Sequence, residues 1–262
     1  RGGGVGAGGG ARPVPGWRKR PSPPKLAACE VTPTAERFHW EVTVESMEQA
    51  KEFYEQALAL APNYALARAL YADYLFGRTT VGMTPLREAA PIARALGQRA
   101  LQLDPSLPEV HSTLGILAAF FNFNWKEADS EFTLAKADDS ASPHCHFVCG
   151  LGFLGAGRRA EAVEQLEQAI QGDPLQTTIR VFLGVFLGAV GRYAEAEQHL
   201  RQAMHLDPNF FWAYVYLAEL YAARGMFAEA LPIAEKAFDV SPWSSPRIGI
   251  DAGVLVRTGA AV

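Results

Sequence analysis

The sequence predicts an all-α protein, a solenoid of antiparallel helix pairs stacked side by side. Four series of residues predict it. Pro174, Pro208 and Pro242 stand 34 residues apart, and Gly157, Gly191, Gly225 and Gly259 return at the same interval. The alanines Ala162, Ala196 and Ala230 keep that step too, and Ala169, Ala203 and Ala237 run in register with them. Self-similarity at such a period marks an array of small units, none of which buries its apolar face alone.

Residues 143–176 show how one unit works. Cys149, Gly150 and Phe153 lie at the three-to-four residue spacing of one helix face. Gly157 ends that helix, because a left-handed residue costs glycine little. Ala162, Leu166 and Ala169 then form the stripe of a second helix. Asp173-Pro174 closes it, since proline lacks the amide hydrogen and restricts the residue before it. The small residues Gly150 and Ala162 let the two helices approach. Units 177–210 and 211–244 repeat the pattern, with Gly184 opposite Ala196 and Ala218 opposite Ala230.

Upstream the register continues with insertions. From Pro62 to Pro105 is 43 residues, and the surplus falls between helices expected at 64–76 and 86–103, around Gly77. From Pro105 to Ser140 is 35 residues, the extra one falling in 121–125, and Ser140 stands where proline is expected. Residues 47–60 read as a second helix whose partner, within 34–44, is short and poorly patterned. The array is thus expected to span 37–262, in units 37–64, 65–107, 108–142, 143–176, 177–210 and 211–244. A partial unit at 245–262 holds one helix at 248–258, either a ragged cap or the mark of a truncated chain.

Residues 1–36 are expected to form a disordered basic tail or linker. Seven of the first ten are glycine, and five prolines lie between Pro13 and Pro24. Such a stretch buries too little apolar area to offset its ordering entropy. Residues 1–30 carry a net charge of +5 within a chain of net −4, so the array is acidic. An acidic body repels phosphate backbones, which argues against nucleic acid as its ligand. No apolar run approaches the roughly 20 residues that span a bilayer. Three cysteines are too few for a disulfide framework, which fits the cytoplasm.

No nucleophile–base pattern, phosphate-binding loop or metalloprotease motif occurs, so no catalytic residue and no cofactor are expected. His144-Cys145-His146 and Cys149 could share a helix face as metal ligands. Cys149, however, falls where Leu114, Leu183 and Leu217 stand in other units, and His146 falls at the place of Tyr214. The core reading is favoured and no metal site is assigned.

The small residue at the eighth position, the alanines at the twentieth and twenty-seventh and the proline at the thirty-second resemble the tetratricopeptide repeat. That resemblance implies a right-handed superhelix whose first helices line a concave, partner-binding face. Positions 2, 5, 9, 12 and 13 of each unit would face it. They give Ile116 and Phe120 in one unit, and His144, Phe147, Leu151, Leu154 and Gly155 in the next. Val181 and Val185 follow, and the last unit supplies Trp212, Val215 and Glu219. Lysine at position 5 and asparagine at position 9, which hold acidic chaperone tails in some repeats of this kind, are missing here.

Such an apolar surface fits a protein or peptide partner. The same pattern would arise if the superhelix were tight and these residues packed on one another. Arg37-Phe38-His39-Trp40 and Asn122-Phe123-Asn124-Trp125 further resemble the repeat regions of bacterial signalling proteins. There, similar repeats follow a winged-helix, serine/threonine kinase or adenylate/guanylate cyclase domain. The resemblance implies an interaction scaffold or sensory module, or else the regulatory region of a larger effector protein. It leaves the oligomeric state open.

Overall fold

The computed structural model describes residues 25–137 and 141–240, and the regular structure of these residues is helical without strands. In chain order the helices are α1 (Leu26–Glu41), α2 (Val44–Leu60), α3 (Ala65–Thr80), α4 (Leu86–Leu103), α5 (Pro108–Phe120) and α6 (Trp125–Ala135). Then follow α7 (Pro143–Gly155), α8 (Arg159–Gly172), α9 (Thr177–Ala189), α10 (Tyr193–Leu206), α11 (Phe211–Ala223) and α12 (Phe227–Val240). Each odd-numbered helix packs on the even-numbered one after it, and each pair stacks on the next. The result is an all-α solenoid of helical repeats. Ser140, Pro242 and the helix expected at 248–258 lie outside the described residues.

Small residues set the spacing inside each pair. A β-carbon placed on Gly150 would come within 2.1 Å of Leu166 Cδ1 and 3.3 Å of the Ala162 carbonyl. On Gly184 it would lie 3.1 Å from the Ala196 carbonyl. Ala162, Ala196, Ala218 and Ala230 have no exposed surface. Gly157, Gly191 and Gly225 turn the chain between helices with φ of 77°, 83° and 74°. In the α5–α6 turn that slot is taken by Phe123 at φ 52°, on the segment where the extra residue was expected.

Between pairs the Asp-Pro turns are tied twice. Asp104, Asp173 and Asp207 each accept, through Oδ1, the amide hydrogen two residues on, at 3.0, 3.2 and 2.9 Å. This side-chain turn mimics a backbone one. The proline carbonyl then accepts from a side chain six residues later. His111 Nε2 serves Pro105 at 2.9 Å and Tyr214 Oη serves Pro208 at 2.9 Å, and at the Ala61-Pro62 turn, which lacks the aspartate, Arg68 Nε serves Pro62 at 3.0 Å. Arg180 does the same for Pro174. One slot, the fourth of the unit, thus holds three different donor chemistries.

Two expectations are corrected. The tail does not run to residue 36, because α1 begins at Leu26. Ala28, Thr32 and Ala35 recur at helical spacing and are buried, but Pro33 inside the helix disguises the pattern. Secondly, Gly77 does not end α3, which runs on to Thr80. Thr79 and Thr80 hydroxyls bond the carbonyls of Phe76 and Gly77 at 2.7 and 2.8 Å. Arg78 also pins the extra turn, bonding Tyr74 Oη at 2.9 Å and pairing with Glu48 at 2.7 Å.

Gly150→Val is expected to cost about 1–3 kcal/mol, the usual penalty for overpacking a tight contact. Urea unfolding should show a lower midpoint with an unchanged slope.

Candidate binding site on the inner face

The row of first helices curls far enough to bring the first pair against the fourth and fifth. Trp40, at the end of α1, sets its ring edge-on to Phe147 of α7, with centroids 4.9 Å apart. It lies 5.2 Å from the His144 ring in the same manner. Thr178 Oγ1 of α9 donates to the Trp40 carbonyl at 2.7 Å, a bond spanning 138 residues. Val42, in the left-handed region at φ 53°, turns the chain directly after this contact.

Beside Trp40 lies a cavity of about 410 Å³. Its walls come from α1, α2, α3, α5, α7, α9 and α11, and most are aromatic or aliphatic: Phe76, Phe120, Phe147, Leu151, Leu154, Phe182, Trp212 and Tyr216 among them. Phe182 meets Phe147 edge-on at 5.3 Å, and Trp212 stacks on Tyr216 at 5.6 Å. A second depression, on the outer face of α10, is open to solvent, and its Arg201 is already paired with Glu197 at 3.0 Å.

One end of the cavity is polar. His144 is held between Asp73 of α3, 3.0 Å from Nε2, and Glu36 of α1, 3.5 Å from Nδ1. Burial alone would strip its proton, but the close Asp73 carboxylate and the charge of Glu36 prevail and raise its pKa to about 9. The neighbouring His39 ring, 6.3 Å away, goes the other way. Burial, resisted by Asp73 and helped by the charge on His144, lowers it to about 4. Two histidines side by side, one buried and one half-buried, therefore differ in charge near neutral pH.

The residues expected on this face divide. Phe120, His144, Phe147, Leu151 and Trp212 do line the cavity, with Leu154 and Gly155. Ile116, Val181 and Val215 are instead buried in the helix packing, at 0, 0 and 2% exposure. Val185 is half-buried and Glu219 exposed, and neither forms part of the wall. Ile116 and Val181 belong to the main core and Val215 packs with Phe211, Tyr214 and Ala237, so these positions serve helix packing and not the open face.

The same reasoning missed Trp40, Asp73, Phe182 and Tyr216. Phe182 and Tyr216 share the sixth position of successive units, and Asp73 is a lone acid in an apolar helix; both signals were readable. Cys145 and Cys149 are buried, and His146 Nδ1 lies 3.0 Å from Gln165 Oε1. Among the described residues no group of three or more His, Cys, Asp and Glu is arranged to hold a metal ion.

Comparison with known proteins bears on the repeat directly. Models of the tetratricopeptide repeat match residues 43–64 and 187–242. Those two stretches are tetratricopeptide repeats, and the other units share their helix-pair form. Among solved structures the chain is similar to YrrB, described as a TPR protein with an unusual peptide-binding site. The identity is 20% over 76% of this chain and 97% of that one, with a TM-score of 0.50. It is also similar to PilW, a type IV pilus biogenesis factor, at 15% identity over 86% and 99% of the two chains (TM-score 0.58). A third likeness is to pilF of Pseudomonas aeruginosa, at 19% identity over 73% and 84% (TM-score 0.56). At such identities the likeness speaks to the fold. No curated protein matches the sequence. In these helix pairs the proline-carbonyl donor at the fourth position and the aromatic wall at the sixth are what the structure adds.

The histidine pair gives folding stability a maximum in pH. Between pH 4 and 6.5 the unfolded chain binds a proton at His39 that the folded chain refuses, so stability rises with pH. Between 6.5 and 9 the folded chain keeps the His144 proton after the unfolded chain has released it, so stability falls. Thermal midpoints should peak near 6.5. His39→Gln should make the acid limb shallower. His144→Gln should flatten the alkaline limb and lower the midpoint at neutral pH, since Asp73 loses its buried partner.

Proposed function

We propose that this chain is a non-catalytic interaction module that holds a peptide or a segment of a partner protein on its inner face. The observation that carries the reading is the apolar cavity beside Trp40. Its volume, about 410 Å³, is that of a binding pocket rather than a packing defect. Leu151, Leu154, Phe120 and Trp212 leave part of their apolar surface uncovered there.

The polar groups of the site support binding over chemistry. Asp73 and His144 are committed to each other, Thr178 to the Trp40 carbonyl, and His39 is half-buried and neutral. Among the described residues no helix is long and apolar enough to cross a membrane. The thiols of Cys29, Cys145 and Cys149 are free, which supports a reducing compartment such as the cytoplasm. We place the module in bacterial signalling or transcriptional control on the strength of the motifs ending in Trp40 and Trp125.

Affinity capture from cell lysate followed by mass spectrometry tests the reading. The double variant Leu151→Glu/Leu154→Glu places charge on the half-buried wall and leaves buried Phe147 in place. It should lose the proteins that the native chain retains, with an unchanged circular dichroism spectrum. Retention of the same proteins would exclude the inner face as the binding surface.

A further inference from the structure

The way the inner face already holds Trp40 identifies what else it can hold. We infer that the cavity takes an aromatic side chain carried on an uncharged stretch of a partner peptide, seated beside Trp40. This rests on the proposed interaction role and names the chemistry of its ligand.

Trp40 is the internal precedent. It arrives from the far end of the array, presents its ring to the edges of Phe147 and His144, and anchors its carbonyl on the Thr178 hydroxyl. Ring into pocket and carbonyl onto a side-chain donor is how an extended peptide engages a groove. The space left beside that ring is bounded by Phe120, Phe182, Trp212 and Tyr216, so the intramolecular contact and the cavity are one continuous surface.

Size and shape agree. An apolar cavity of roughly 150 Å³ stays dry and holds one benzene. The cavity here, at about 410 Å³, has room for two rings or for one ring and its backbone. Its walls offer both orientations that aromatic pairs prefer: ring edges where Phe147 meets Phe182 at 83°, ring faces where Trp212 lies over Tyr216 at 20°.

Charge narrows the peptide. The acidic and basic wall residues, Asp73 and His144, face each other at 3.0 Å, leaving neither a lone cation for an acidic side chain nor a lone anion for a basic one. Burying an unpaired charge in such a place is costly. Neutral, aromatic-bearing segments are selected by exclusion as well as by fit.

Panning short random peptides displayed on phage against the full chain tests this. The recovered peptides should carry Trp, Phe or Tyr within a neutral stretch. Synthetic copies should lose about tenfold or more in affinity when that ring is replaced by alanine, as a buried anchor does. Leu151→Trp, which fills the cavity from its half-buried wall, should weaken them as strongly while keeping the native circular dichroism. Leu154→Trp serves the same purpose if Leu151→Trp does not fold.

Peptides that lack an aromatic residue yet are blocked by the filled variant would overturn the anchor chemistry and leave the inner-face reading standing. Peptides unaffected by filling the cavity would overturn both, and so would a library that yields no binder.

Discussion

The close approach of paired helices at glycine and alanine is the contact on which the rest of this array depends. Gly150 against Ala162 and Gly184 against Ala196 set the distance within two successive pairs, and Ala218 and Ala230 are fully buried in the next. That distance fixes how far each first helix stands from its second, and thereby how the first helices line up along the inner face. A larger side chain at any of these points would wedge a pair open and displace every later unit. Leu166 and Leu200 lie over the glycines and are buried, so the close approach is also densely packed.

The inner face shows how a tight superhelix keeps an apolar surface soluble. Ile116, Val181 and Val215 are covered by their own neighbours, and Phe147 is covered by Trp40. What stays open is a bounded cavity, not a stripe along the whole array. The buried charges work in the same direction. A histidinium between two carboxylates joins α7 to α1 and α3, and removing any partner would leave the others stranded in low dielectric.

Much of the fold was legible because its determinants are local and repeated. A glycine that must adopt positive φ, or an alanine that must be small, leaves a mark at a fixed interval. What could not be read this way is what happens once. Pro33 interrupts the α1 pattern, the hydroxyls of Thr79 and Thr80 extend α3 beyond Gly77, and Phe123 occupies a turn position held elsewhere by glycine. The site suffered most, because half of it depends on the curl of the array. Trp40 belongs to the first pair, and its partners His144, Phe147 and Thr178 belong to the fourth and fifth. No spacing in the sequence encodes that meeting, whereas the sixth-position rings Phe182 and Tyr216 did leave a repeated trace.

The bond between Thr178 and Trp40 changes what kind of object the array is. Repeat stacks are ordinarily one-dimensional: each unit feels only its neighbours, and the ends fray independently. Here a contact 138 residues long closes a loop through the first five pairs. Loosening α1 therefore disturbs α7 and α9 as well as α2, and melting from that end couples to the middle of the molecule. The cavity lies beside that closing contact, so whatever occupies it bears on both ends of the loop.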